Sequence, residues 1–307
     1  MSTPSDRSAI GVPPAGFRLP AETTIGQVSL EVTDLARSLA YYQDVLGLRI
    51  VERGGAATAP WARLGAQAAA DRGAAPVLVE LRERPGARRV PSAGLLGLFH
   101  FAMVLPDRSA LGRFLRHLLA ARVPFGAADH MVSEALYLTD PDGLGIEVYR
   151  DRPRHEWVVR NGEVIAGADP LDSGGVIEAA GSMPWDGVPA GSRIGHVHFH
   201  VGDLDEASRF YHAGLGFDRI RWRFPGALFV SAGGYHHHVG LNTWASGARA
   251  ASDGDARLVE WELVLPSAGG VRAAADSLAL ADYQVDRADT GFRSADSWGI
   301  AVYVRTA

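Results

Sequence analysis

One unit is written more than once along this chain. The segment "IGQVSLEVTDLARSLAYYQDVLGLRIV", from Ile25 to Val51, returns as "IGHVHFHVGDLDEASRFYHAGLGFDRI", from Ile194 to Ile220. Both copies alternate apolar and polar residues as a strand does, turn at an Asp-Leu pair, and then carry apolar residues at helical spacing. Asp34 and Asp203 stand where a carboxylate can cap the free N–H groups of the helix that follows. Weaker copies begin at Leu98 and at Leu258 and share a "VLP" turn. The distance from each helix to the end of its unit leaves room for about three more strands, giving four βαβββ-like modules. The chain therefore divides into an N-terminal extension over 1–23, a first domain over 24–150, a linker over 151–191 rich in Gly, Pro and Asp, and a second domain over 192–307. Each domain holds two modules.

The 307 residues are enough for two domains. All 30 basic residues are Arg and the net charge is −5, which gives no basic patch for nucleic acid. No segment is apolar over the roughly 18 residues a membrane span requires. The N-terminus lacks a basic start followed by an apolar core, so no secretory signal is expected and a cytoplasmic location is. With no Cys, thiol nucleophiles, disulfides and thiolate-bound zinc are excluded, so any metal must sit on His, carboxylate or amide oxygen. There is no phosphate-binding glycine loop, no Ser-centred nucleophile elbow and no HExxH.

The doubled strand–turn–helix unit, together with "DPDGLGIEVYRDRP" (Asp140 to Pro153) and "FVSAGGYHHHVGLNTW" (Phe229 to Trp244), resembles the vicinal oxygen chelate superfamily of glyoxalase, bleomycin resistance and extradiol dioxygenase proteins. The last two segments are similar to those of two-domain catechol-2,3-dioxygenases. The resemblance covers nearly all of 25–305. It implies an α+β chain of two tandem domains, each with two modules forming a cupped mixed sheet, and metal ligands on the first and last strands of the modules. The scaffold alone does not fix the reaction.

Counting back seven residues from each turn Asp gives Gln27, His100 and His196 as first-strand positions, and alignment of the shared Leu-Pro adds Glu260. The last-strand positions are Glu80, Glu147, His238 and Ala301. The first domain thus offers Gln27, Glu80, His100 and Glu147, an order resembling the glyoxalase I site and suited to Zn(II), Ni(II), Fe(II) or Mn(II). The second offers His196, His238 and either Glu260 or Glu262, the two-His-one-carboxylate set of non-haem iron oxygenases. The resemblance puts a carboxylate where this chain has Ala301, so the acid ligand would have moved to the first strand. Strand alternation places His198 and His200 on the face of His196, and His236 on that of His238, as groups that orient ligands or move protons; it turns His237 away. Tyr303 would reach a substrate oxygen in the same cup.

The expected activity is ring cleavage of a catechol-like aromatic by O₂, with Fe(II) first among the ions and Mn(II), Ni(II) or Zn(II) also compatible. Two alternatives stand beside it. One is a glyoxalase-like isomerase or lyase in the first domain. The other is a metal-free protein that sequesters an aromatic or antibiotic ligand. A homodimer is compatible with either domain arrangement.

Overall fold

The computed structural model describes residues 10–68 and 76–307; the first nine residues of the N-terminal extension lie outside it. The first module runs β1 (Thr24–Val32), α1 (Leu35–Ala40), β2 (Arg49–Gly54), β3 (Trp61–Gly65) and β4 (Val77–Glu83). The second runs β5 (Gly97–Val104), α2 (Arg108–Ala121), β6 (Gly126–Asp129), β7 (Ser133–Thr139) and β8 (Gly145–Asp151). A small hairpin, β9 (Val159–Arg160) and β10 (Glu163–Val164), and the helix α3 (Ser173–Ala179) follow. The third module is β11 (Arg193–His200), α4 (Leu204–Ser208), β12 (Asp218–Arg221), β13 (Ala227–Ser231) and β14 (Val239–Asn242). The fourth is β15 (Arg257–Leu265), α5 (Ala268–Leu280), β16 (Asp286–Ala288), β17 (Gly291–Ala295) and β18 (Ala301–Thr306). No helix among the described residues is long and apolar enough to cross a membrane.

Every module starts its helix the same way. The side chains of Asp34, Asp107, Asp203 and Ser267 each accept from the backbone N–H three residues on, satisfying one otherwise orphaned donor. In α1 and α4 the helix then widens into a π turn, over Tyr41–Val45 and Arg209–Gly214.

The strands form two eight-stranded sheets, in the orders β16-β17-β18-β15-β1-β4-β3-β2 and β12-β13-β14-β11-β5-β8-β7-β6. Each sheet holds two modules, as expected, but the partners are crossed: the first module pairs with the fourth through β1 and β15, and the second with the third through β5 and β11. The repeat identifies equivalent strands without saying which edges meet, because all four first strands present the same free edge. The long segment 151–191 gives the third module the reach to dock on the second. The apolar backs of both sheets and their helices share one core, in which Val28 and Leu30, Phe101 and Met103, Val197 and Phe199, and Trp261 and Leu263 are fully or almost fully buried. Core packing still joins modules that are neighbours in sequence. Tyr42 Oη donates to Asp140 Oδ2 at 3.2 Å, and its counterpart Tyr211 donates to Asp296 Oδ2 at 3.0 Å.

Burial pushes the Asp140 carboxyl from its ordinary 3.8 up to about 6, and that of Asp296 likewise to about 6. The folded chain therefore holds these protons more tightly than the unfolded chain. The contribution to stability is complete below pH 4 and is lost as pH rises through 6. Asp140→Asn keeps an acceptor for the N–H groups of Asp142 and Leu144 and cannot ionise. Urea unfolding from pH 4 to 7 is expected to show the variant gaining on the wild type by on the order of 3 kcal/mol. A difference that stays constant over that window would contradict the assignment.

Candidate metal centre

The concave face of the sheet made by the second and third modules gathers His100 from β5, Glu147 from β8 and His196 from β11. One ligand atom from each lies within 4.8 Å of the others, and all three residues are buried. Glu147 Oε2 is 3.0 Å from His100 Nε2 and 3.1 Å from His196 Nε2. Register explains the convergence. His198 stands opposite His100 and Ala102 opposite His196 across the β5–β11 seam, while Ala102 also lies beside Glu147 on β8. In the equivalent parallel pairing on the other side, His198 lies beside Gly240 of β14. The position that mirrors Glu147 is thus a glycine, and a Cβ there would sit 2.8 Å from the His198 ring. Three candidate ligands converge from β5, β8 and β11.

The donor set fits a divalent metal ion. His100 Nε2 is buried and faces Glu147 Oε2 at 3.0 Å, but out of line for a well-formed hydrogen bond. Burial alone would raise the Glu147 pKa, but His196 and His100 hold it well below the usual carboxylate range. Burial pushes His196 down to about 4, so its imidazole is neutral at physiological pH, the form that can ligate a metal once the ion displaces its hydrogen bond to Glu147. Two imidazoles and one carboxylate suit Fe(II) and its neighbours among the divalent ions.

Above this floor is a cavity of about 430 Å³. Phe99, Phe229 and Trp244 form aromatic walls, and Val164, Ala166 and Gly167 close one side. Those last three residues belong to the segment expected to be only a linker. His237 lines the cavity, its ring centroid 4.0 Å from that of His196. On the other flank Tyr137 sits on β7 directly opposite Glu147, and its hydroxyl lies 2.5 Å from His130 Nε2. His130 Nδ1 is 2.6 Å from the Gly167 carbonyl, which can only accept. Nδ1 therefore carries the proton in neutral His130, and Nε2 accepts from Tyr137.

The expected ligand sets are divided by the crossed pairing. His100 and Glu147 from one set meet His196 from the other. Gln27, Glu80, Glu260, Glu262 and Tyr303 lie in the opposite sheet, where arginines occupy the acids. Arg63 and Arg82 hold Glu80, Arg293 Nε donates to Glu260 at 2.8 Å, and Arg305 Nε to Glu262 at 3.0 Å. Gln27 contributes its backbone N–H to Glu262, and Tyr303 Oη pairs with Thr290 Oγ1.

The histidine tract also differs from the expectation. His236 to His238 precede β14, and a turn with Gly233 and Gly234 at φ 60° and 65° feeds them in, so alternation does not govern them. His238 points away from the cluster; its Nδ1 accepts from Ser231 Oγ at 2.8 Å and from the Ala232 N–H at 3.1 Å. His237, expected to face away, is the ring that reaches the cavity. His236 Nε2 is 2.9 Å from Asp151 Oδ1, and its Nδ1 is 2.8 Å from His237 Nδ1. His198 and His200 are tied to Asn242, with Nε2 and Nδ1 respectively at 3.0 and 2.7 Å from its amide. Sequence reasoning missed Tyr137, yet the DPDG turn fixes the β7–β8 register and so puts it opposite Glu147. For His130 no comparable signal exists.

A family model described as the Glyoxalase/Bleomycin resistance protein/Dioxygenase superfamily matches residues 24–148 and 193–292. The chain belongs to this superfamily. A relative from Bacillus subtilis (strain 168), named catechol-2,3-dioxygenase, is 40% identical over 278 residues, covering 90% of this chain and 94% of the relative. Among solved structures, a putative dioxygenase from Bacillus subtilis superposes with a TM-score of 0.63 at 14% identity, covering 94% of this chain and 86% of that one. Glyoxalase I from Zea mays gives 0.56 at 17% identity, covering 93% and 92%. At these identities the two structures speak to the superfamily fold alone.

Proposed function

We propose that this chain is a non-haem, metal-dependent dioxygenase of the extradiol type, cleaving the ring of a catechol-like aromatic with O₂. The observation that carries the proposal is the His100–Glu147–His196 cluster at the floor of an aromatic-walled cavity. Identity with the catechol-2,3-dioxygenase relative supports it. The three residues would hold Fe(II), which would supply chelation of the two vicinal oxygens and electron transfer to O₂.

The chain's own groups do the rest. Phe99, Phe229 and Trp244 would pack against an aromatic ring in the cavity and keep water from it. Tyr137 can accept a hydrogen bond from one ring hydroxyl while its own O–H donates to His130 Nε2. His237 is placed to hold the proton of the other hydroxyl. Asp151 can only accept, so His236 donates from Nε2; a neutral His236 then accepts at Nδ1 from His237 Nδ1–H. That relay leaves His237 Nε2 with a free lone pair, the form a general base needs.

The test uses protein purified without a His tag, stripped with chelator and reloaded under argon. Admitting air and catechol should give O₂ uptake and a yellow ring-opened product after Fe(II), and none in the stripped protein. No O₂ uptake with Fe(II), Mn(II), Ni(II) or Zn(II) would overturn the assignment.

A further inference from the structure

Among the described residues, Arg221 is the one arginine lining the aromatic cavity, and it has no acid partner. It lies on β12 opposite Phe229 of β13, half-buried, with its guanidinium carbon 4.5 Å from the Phe224 ring centroid and 5.9 Å from that of Phe229. Among the described residues it makes no salt bridge. The acid whose charge it feels is Glu163, and that carboxylate is already engaged: Oε1 accepts from the N–H groups of Trp222 and Arg223, and Oε2 from Arg223 Nη1 at 3.2 Å. Among the described residues, Glu147 is the only acid lining the cavity, and it is committed to His100 and His196. Burial lowers the pKa of Arg221, as befits a charge in an apolar wall without a close counter-ion.

We infer that Arg221 binds an anionic substituent of the substrate, so that the preferred substrate is a catechol bearing a carboxylate on a short side chain. The inference rests on the ring-cleavage proposal for the catechol end and on the cavity alone for the anionic end. A guanidinium packed against the Phe224 and Phe229 rings has less freedom to lose when its N–H fork is engaged, which favours bidentate capture of a carboxylate. The separation suits a side chain of a few bonds. β12 is the edge strand, three strands from β11, or roughly 14 Å along the curved sheet at the usual strand spacing, part of which the arginine itself spans. The remainder of the wall is apolar and gives the linking carbons a dry surface.

Calorimetry under argon would compare 3-(3,4-dihydroxyphenyl)propanoate, its methyl ester, and 3-phenylpropanoate, which lacks the hydroxyls. The wild type is expected to bind the dihydroxy acid about tenfold or more tightly than the ester, in line with one charge-assisted pair. Arg221→Met should abolish that preference and leave ester binding within about threefold, while Arg221→Lys should keep part of it. An ester bound as tightly as the acid, equal weakening of both by Arg221→Met, or an unchanged preference in either variant would overturn the inference. 3-Phenylpropanoate separates the two proposals. If its binding falls in Arg221→Met while no catechol is ever cleaved, the anion site stands and the ring-cleavage assignment falls.

Discussion

His196→Ala is expected to leave a folded protein that no longer retains metal, with iron content after gel filtration and O₂ uptake both down more than about a hundredfold. Loss of a residue that merely orients a ligand commonly costs 10–100-fold, so loss of a ligand sets at least that scale. The reasoning is geometric. His196 Nε2, His100 Nε2 and a Glu147 oxygen converge from three strands, and Gly240 supplies no side chain in the mirror position that could substitute. Glu147→Gln is expected to behave alike, since an amide keeps the volume and loses the charge that two imidazoles surround. Glu80→Gln and Glu260→Gln are the controls. Their carboxylates are bound to Arg63, Arg82 and Arg293, so metal content should not move. His238→Ala should also keep the metal, while losing stability because the Ser231 hydroxyl and the Ala232 N–H lose their buried acceptor. Retained iron in His196→Ala, or its loss in Glu260→Gln, would put the centre elsewhere.

The second large effect is expected on turnover without loss of metal. His237→Asn should lower kcat by about 10²–10⁴-fold, the range for removal of a positioned general base, with iron content within error of the wild type. Because the His237 ring packs against His196, metal analysis must accompany the kinetics. Asp151→Asn provides a graded companion. It leaves every ring in place but removes the anion that fixes the His236 tautomer, so it should lower kcat by less than His237→Asn. An unchanged kcat in His237→Asn would assign proton handling to the Tyr137–His130 pair instead.

What the sequence disclosed and what it withheld follow from the range of the interactions. The repeat, the four helix caps and the cupped modules are local, and Asp34, Asp203 and the apolar alternation of "GQVSLEV" announce them. His100, Glu147 and His196 could each be found by counting within a module. Their association could not, because strand pairing between modules is decided by edges that look alike in sequence. The tract His236 to His238 misled for a different reason: period two holds only inside a strand, and the two left-handed glycines before it reset the phase. The acids in the other sheet illustrate a third limit, since a Glu in a plausible position says nothing of the arginine, such as Arg305 for Glu262, that comes to it from a neighbouring strand.

The crossed pairing also bears on how the chain can be made. Gln27 and Glu262 meet across the β1–β15 seam although 235 residues separate them. As the polypeptide leaves the ribosome, β1 and β5 emerge early, and each has one edge whose partner is still untranslated. Unpaired strand edges invite association with other chains, and contacts of such long sequence separation form slowly. The first half must therefore remain incompletely closed for most of synthesis. The fourth module supplies half of the first sheet, so closure of that sheet awaits a segment made more than 200 residues after β1.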